Sequence, residues 1–167
     1  VVVGGAGFLL NNEMDDFSIK PGIPNMYGLT GGNANAIEPG KRMLSSMTPT
    51  IVLDDDRPYI LLGSPGGSRI ITTVAQIIMN IIDYRMDAVE AVNSPRFHHQ
   101  WIPEKIEYEK GAFSTGLLED LEGRGHRCYE RTKSIGDSQV ILCTDSLCCG
   151  VPDPRGGGGA APEEPVN

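Results

Sequence analysis

Gly63-Ser64-Pro65-Gly66-Gly67-Ser68-Arg69 joins a run ending in Leu61-Leu62 to the apolar segment Ile70 to Ile82. Pro58 to Leu62 reads as a strand and the residues after Ser68 have helical spacing, so the two glycines fall where a strand turns sharply into a helix. Adjacent glycines open backbone conformations closed to other residues and let a ligand atom come close to the main chain. Ahead of a helix their N–H groups point the same way, helped by the positive end of the helix dipole. That arrangement suits an anion or a developing oxyanion. A Gly-rich turn with no ligand is the plainer reading of the same residues, and the rest of the chain has to decide between them.

Two further sets carry polar chemistry. Glu13 and Asp16, in Asn11-Asn12-Glu13-Met14-Asp15-Asp16-Phe17-Ser18, would share a face of a helical turn. Paired carboxylates either face water or hold a cation, here an ammonium group or a divalent metal. Ser45 and Ser46, before Met47-Thr48-Pro49, offer hydroxyl and backbone donors to a carboxylate, or simply form a turn. Between these sets runs a long irregular stretch, Ile19 to Lys41, rich in Gly, Pro and Asn. Loops of this length inside a domain are usually functional lids or disordered, and the apolar anchors Ile23, Met26, Tyr27 and Leu29 favour an ordered loop. Tyr27 at its middle is placed to close over a pocket, or to pack. His98 and His99 lie together in Phe97-His98-His99-Gln100-Trp101. Consecutive side chains point apart and no third ligand is nearby, so they are read as packed or hydrogen-bonded rather than metal-binding.

The elements that must position these groups follow from periodicity. Val1 to Leu10 reads as a β segment with bends at its glycines. Strands 50–53 and 58–63 form a hairpin through Asp54-Asp55-Asp56-Arg57, central in the sheet. The helix from Ser68 to Ile82 is apolar on most sides in its second half, so it is expected to be largely buried. Asp87-Ala88-Val89-Glu90 is a capping box. Further strands are expected at Lys105 to Lys110, His126 to Arg131 and Gln139 to Thr144. A short helix is expected over Ser114 to Gly123, with Leu117, Leu118 and Leu121 inward and Gly123 as its stop. The residues from Arg155, Gly-Gly-Gly-Gly-Ala-Ala-Pro-Glu-Glu-Pro-Val-Asn167, read as a low-complexity, disordered tail over 156–167.

The 167 residues make one domain, 1–155, with a core of ordinary size. Fourteen Lys and Arg against 22 Asp and Glu give a net charge of −8, which argues against nucleic acid as a partner because phosphate binding needs a basic face. Ile70 to Ile82 falls short of the ~20 residues of a membrane span. Cys128, Cys143, Cys148 and Cys149 lack C-x-x-C spacing, so free thiols or a bridge between distant members is expected, and no zinc site. The chain begins at Val1-Val2-Val3, as a processed or truncated chain would.

Leu9-Leu10-Asn11-Asn12-Glu13-Met14-Asp15-Asp16-Phe17, Leu44-Ser45-Ser46-Met47-Thr48-Pro49-Thr50, Gly63 to Arg69, Asn93-Ser94-Pro95-Arg96-Phe97-His98-His99-Gln100 and Asp153-Pro154-Arg155 together resemble the small subunit of γ-glutamyltranspeptidases. The similarity runs in order over about residues 7 to 155. These enzymes are N-terminal nucleophile (Ntn) hydrolases, so the resemblance implies an α+β fold, the αββα sandwich. It implies a γ-glutamyltransferase or glutathione hydrolase that cleaves γ-glutamyl amides through an acyl-Thr intermediate and passes the glutamyl group to amino acids, peptides or water. By that resemblance Glu13 and Asp16 hold the α-ammonium, Ser45 and Ser46 bind the α-carboxylate, Gly66 and Gly67 form the oxyanion hole, and Tyr27 belongs to the lid. The implied partners are the large subunit of the same precursor and a γ-glutamyl substrate such as glutathione, with no cofactor or metal, in a periplasmic or extracellular setting.

In the family the small subunit begins with a Thr that serves as nucleophile and, through its α-amino group, as its own base. Val1 falls beyond where that Thr should lie, so the chain alone is expected to be inactive, with a sheet edge exposed for association. Other readings are an acylase or polyglutamate-processing relative, and a non-catalytic fragment that binds glutamate-like ligands. Glu13 with Asp16 argues for a substrate with a free ammonium group.

Overall fold

Asp55 and Asp56 have φ of 45° and 64°, the left-handed pair that a two-residue hairpin turn requires and that Asp tolerates. They join β1 (Thr50–Asp54) to β2 (Arg57–Gly63) in antiparallel register, with Ile51 opposite Leu61 and a bulge between Val52 and Leu53. The computed structural model describes residues 2–161, and the chain divides into two units, Val1–Ser46 and Met47–Asn167.

In the second unit β2 continues into α1 (Arg69–Ile82), followed by α2 (Ala88–Asn93), β3 (Phe97–His98), β4 (Ile106–Tyr108), α3 (Thr115–Gly123), β5 (Cys128–Glu130), β6 (Gln139–Cys143) and β7 (Cys148–Pro152). One sheet has the order β1-β2-β6-β7, antiparallel throughout, and a smaller one has the order β3-β4-β5. β4 and β5 are parallel, as the intervening α3 crossover allows.

Strand alternation sends Ile60, Leu62, Val140 and Val151 to one face of the larger sheet, where they meet Val74, Ile77 and Ile81 of α1 and Ala88, Ala91 and Val92 of α2. That is the core. Along the other face Ile51, Leu61, Ile141 and Gly150 stand in one cross-strand row, and Ile51 and Ile141 are exposed. A sheet apolar on both faces belongs in a layered α+β sandwich.

Two guanidinium groups close the unit. Arg96, 2% exposed, donates to the carbonyls of Ile135 and Val92 and to Ser138 Oγ, and its Nη2 lies 2.7 Å from Asp153 Oδ2. Arg155 pairs with Glu109 and Asp153 and donates to the carbonyls of Val92 and Ser94. The last carbonyls of α2 are thus satisfied by arginines rather than by a glycine cap.

Several sequence expectations need correction. Val1 to Leu10 is no strand among the described residues: Gly5 and Gly7 have φ of 78° and 72°, and only a Val2–Leu9 bridge forms. β1 lies at the edge of its sheet, and β2 alone of the hairpin is interior. α1 is amphipathic, with Ile71 and Met79 outward. No residue of α3 is buried, and the positive φ after it falls at Gly125 (93°) rather than Gly123. β3 and β7 are strands that the sequence pattern does not mark. Cys143 and Cys148, paired across the β6–β7 ladder, form a disulfide, while Cys128 and Cys149 are free. Of the expected disordered tail, 162–167 lies outside the described residues. Within 156–161, a Cβ on Gly156 would strike the Asp137 carboxylate and one on Gly158 the Gln139 amide, and Ala160 Cβ lies 3.1 Å from the Cβ position of Gly150. No helix among the described residues is long and apolar enough to cross a membrane.

Glu107 on β4 sits among Lys105, Arg69 and Arg131, with N···O separations of 2.7, 2.5 and 2.9 Å. Burial alone would raise its carboxyl pKa, but hydrogen bonds from Lys105 and Arg69 and the charges of Arg69 and Arg131 outweigh burial and hold it at about 2. A carboxyl depressed by folding contributes stability above its unfolded pKa and loses it as pH falls through the folded one. Denaturant titrations of parent and Glu107→Gln should therefore differ by on the order of 3 kcal/mol near neutral pH. The difference should shrink between pH 4.5 and about 2. A gap that stays constant through that window would refute the ion-pair account.

Candidate functional site

In the first unit Glu13–Asp16 forms a 3-10 turn, the shape that places Glu13 and Asp16 on one side. Its entry is set by Asn11, whose Oδ1 accepts from Glu13 N–H at 3.3 Å, and its exit by Phe17, 8% exposed. The turn is tied to the serine segment through Asn35. Asn35 Nδ2 donates to the Asp16 carbonyl at 2.7 Å, its Oδ1 accepts from Leu44 N–H at 2.9 Å, and its own carbonyl accepts from Ser18 N–H at 2.8 Å. As a result Ser46 Oγ donates to Asp16 Oδ1 at 2.9 Å.

Glu13, Ser45 and Ser46 are exposed and Asp16 is half-buried, so these groups remain open to solvent and to a ligand. An acceptor and a hydroxyl donor within one hydrogen bond of each other match a ligand whose cation and anion sit on a single carbon. Tyr27 lies in a tight turn. Asn25 Oδ1 accepts from the N–H groups of Tyr27 and Leu29, and Gly28 has φ of 77°. Asn35 was not singled out in the sequence, because its role comes from contacts made across the chain rather than from a motif.

In the second unit the turn between β2 and α1 puts Gly66 at φ 141° and Gly67 at φ 60°, conformations that favour glycine. The carbonyls of Gly66 and Gly67 accept from Arg69 N–H and Ile70 N–H. Among the described residues the N–H groups of Gly66 and Gly67 donate to no backbone carbonyl, and they precede a helix of 14 residues. These are the free donors and the dipole that anion binding needs.

The turn is backed by the loop 135–138. Asp137 N–H donates to Ser64 Oγ at 3.0 Å, and Ser64 Oγ donates to the Pro65 carbonyl at 2.8 Å. Gly136, φ 73°, has no room for a side chain: a Cβ there would lie 2.7 Å from Thr73 Oγ1 and 2.8 Å from Ser64 Oγ. His98 is buried and hydrogen-bonded, as expected. Among the described residues no group of three or more His, Cys, Asp or Glu side chains is arranged to hold a metal.

Known proteins resemble this chain over nearly its whole length. The family model described as Gamma-glutamyltranspeptidase matches residues 1–163. The glutathione hydrolase proenzyme of Escherichia coli K12 is 53% identical over 156 residues, 93% of this chain and 27% of that protein. The glutathione hydrolase proenzyme of Pseudomonas aeruginosa is 47% identical over 160 residues, 95% of this chain and 29% of that protein. The chain therefore spans between a quarter and a third of the length of these curated relatives. A crystal structure of a Helicobacter pylori γ-glutamyltranspeptidase mutant superposes with a TM-score of 0.88 at 51% identity, covering 93% of this chain and 86% of that one.

If Asn35 is what ties the acidic turn to the serine segment, Asn35→Ala should speed amide exchange at Leu44 severalfold or more, since that N–H loses its acceptor. Ser18 N–H, held by a main-chain carbonyl that the substitution keeps, serves as the internal control. Hydrogen exchange followed by NMR reads both, and unchanged protection at Leu44 would show that the Asn35 side chain holds nothing.

Proposed function

The chain belongs to the γ-glutamyltranspeptidase family, and from that premise we propose that it forms part of a γ-glutamyltransferase or glutathione hydrolase, supplying the glutamyl-head pocket and the oxyanion hole. The observation that carries the reading is the Ser46–Asp16 hydrogen bond, 2.9 Å, beside Glu13 and Ser45. An α-amino acid head presents an ammonium and a carboxylate on one carbon. Asp16 and Glu13 take the ammonium, and Ser45 and Ser46 serve the carboxylate, Ser46 by turning its single hydroxyl hydrogen from Asp16 Oδ1 to the ligand or through its main-chain N–H. Tyr27 is the lid residue.

With the head held, the γ-carbonyl is attacked by the hydroxyl of an N-terminal Thr of the processed protein, whose α-amino group removes the proton. The carbonyl oxygen becomes negative as the C–O bond forms. The N–H groups of Gly66 and Gly67 donate to that oxygen. Collapse of the tetrahedral species breaks the C–N bond, the amine leaves with the proton, and the glutamyl group stays as an ester on Thr. An amino acid, a peptide or water then attacks the ester, with the same two N–H groups serving the second tetrahedral species. The large subunit of the precursor is the proposed partner. The apolar row Ile51, Leu61 and Ile141, and the β1 edge, which pairs only with β2 among the described residues, suit an added layer and an added strand.

The test compares the self-processed full-length protein with its Asp16→Ala variant on a γ-glutamyl anilide and a glutaryl anilide. The variant should lose roughly 100-fold or more in kcat/KM on the γ-glutamyl substrate, because the ammonium loses the carboxylate that pairs with it in the bound state. The glutaryl substrate has no ammonium, so its turnover should change far less. Equal γ-glutamyl turnover by parent and variant would overturn the ammonium assignment, and a parent that prefers the glutaryl amide would point to an acylase.

A further inference from the structure

The two glycines of the β2–α1 turn are the least restrained residue type in the chain, yet an oxyanion hole works only if its donors are fixed before the charge develops. A serine stands at either end of the Pro65-Gly66-Gly67 run, and each hydroxyl ties the turn to a distant segment. Ser64 is held by Asp137 N–H. Ser68 stands at the N-cap of α1 but makes no side-chain cap bond. Its hydroxyl instead donates to Gln100 Oε1 at 2.5 Å.

Gln100 Oε1 also lies 2.8 Å from His98 Nε2, while Gln100 Nε2 donates to the Ile102 carbonyl at 2.9 Å. The bond to Ile102 fixes which end of the amide is which. An amide oxygen only accepts, so His98 Nε2 carries the hydrogen. His98 Nδ1 then accepts from Thr72 Oγ1, 2.8 Å away. Burial lowers the His98 pKa against the opposing effect of its hydrogen bond to Gln100, which favours this neutral form, with Arg69, Glu107 and His99 the charged or titratable groups that act on it. The result is a closed ring: Ser68 to Gln100, Gln100 to His98, His98 to Thr72, and one helical turn back to Ser68. It clamps the first turn of α1 onto the end of β3.

We propose that Gln100 and His98 are positioning residues that act through Ser68 to aim the N–H groups of Gly66 and Gly67 at the reacting oxygen. This rests on the reading above that those N–H groups form the oxyanion hole. Neither residue touches substrate. Their effect is confined to the stage at which the oxygen carries charge, because no residue of the ring is assigned to the glutamyl head.

The experiment uses the self-processed full-length protein and a γ-glutamyl anilide, with kcat counted per processed molecule. Variants are Ser68→Ala, Gln100→Leu, the double variant of both, and Ser68→Thr. Removing an oxyanion donor outright costs about 100- to 1000-fold in kcat, so loosening the pair should cost roughly 10- to 100-fold. KM should stay within about threefold, since ground-state binding is not involved. Because Gln100 acts through the Ser68 hydroxyl, the double variant should be no slower than the slower single one, and Ser68→Thr should retain most of the parent rate.

A kcat unchanged in Ser68→Ala overturns the proposal, as does a double variant whose losses multiply. A rise in KM matching the fall in kcat/KM also overturns it, since that marks ground-state binding. Should Gln100→Leu fail to fold or process, Ser68→Ala and its rescue by Ser68→Thr decide the matter by the same kcat and KM criteria. A parent with no γ-glutamyl amidase activity defeats the functional reading itself and this inference with it. An active parent with an indifferent Ser68→Ala defeats this inference alone.

Discussion

Two guanidinium groups withdrawn from water fix the part of the fold on which the turn leans. Arg96 and Arg155 face Asp153 and Glu109, so two positive and two negative charges neutralise one another out of solvent. Such a set adds little net stability compared with apolar packing, but removing one member strands the rest at a cost of several kcal/mol. Its value lies in what it specifies. Arg96 holds the Ile135 carbonyl, Glu109 Oε1 accepts from Ile135 N–H, and Asp153 Oδ2 accepts from Ser138 N–H and Oγ–H. Both ends of the loop 135–138 are therefore fixed by charge.

That loop carries Gly136 against the β2–α1 turn, with Ser64 gripped from behind by Asp137. Glycine is needed twice here for different reasons. At Gly66 and Gly67 the backbone must adopt φ values that favour glycine, and their N–H groups donate to no backbone carbonyl among the described residues. At Gly136 a side chain would collide with Thr73 and Ser64. The chemistry of the turn and the packing behind it are separate demands met by the same residue type.

Much of the fold could be read in the sequence where the signal is local. The Asp-rich hairpin turn, the Asp87–Glu90 capping box, present with both of its hydrogen bonds, and the apolar spacing of α1 are each decided within a few residues. β3 and β7 could not be read, because β3 has only two residues and β7 consists largely of Cys148-Cys149-Gly150. Their pairing depends on partners far along the chain, such as Val140 opposite Val151. The valine-rich start looked like a strand but gives way to glycines at positive φ. For the candidate site, residue type disclosed the acids, the serines and the paired glycines. It did not disclose Asn35 or Gly136, whose roles exist only once distant segments meet.

The row Ile51, Leu61, Ile141, Gly150 has a consequence of shape. Within this row three branched side chains stand on β1, β2 and β6 and none on β7, so the row is thick at one end and thin at the other. A side chain laid along this row would find room over Gly150 that it lacks over Ile51, Leu61 and Ile141. The thin end is already shimmed by the methyl of Ala160, 3.1 Å from the Cβ position of Gly150. The glycine-rich segment that carries Ala160 therefore already occupies part of the space a side chain at position 150 would take.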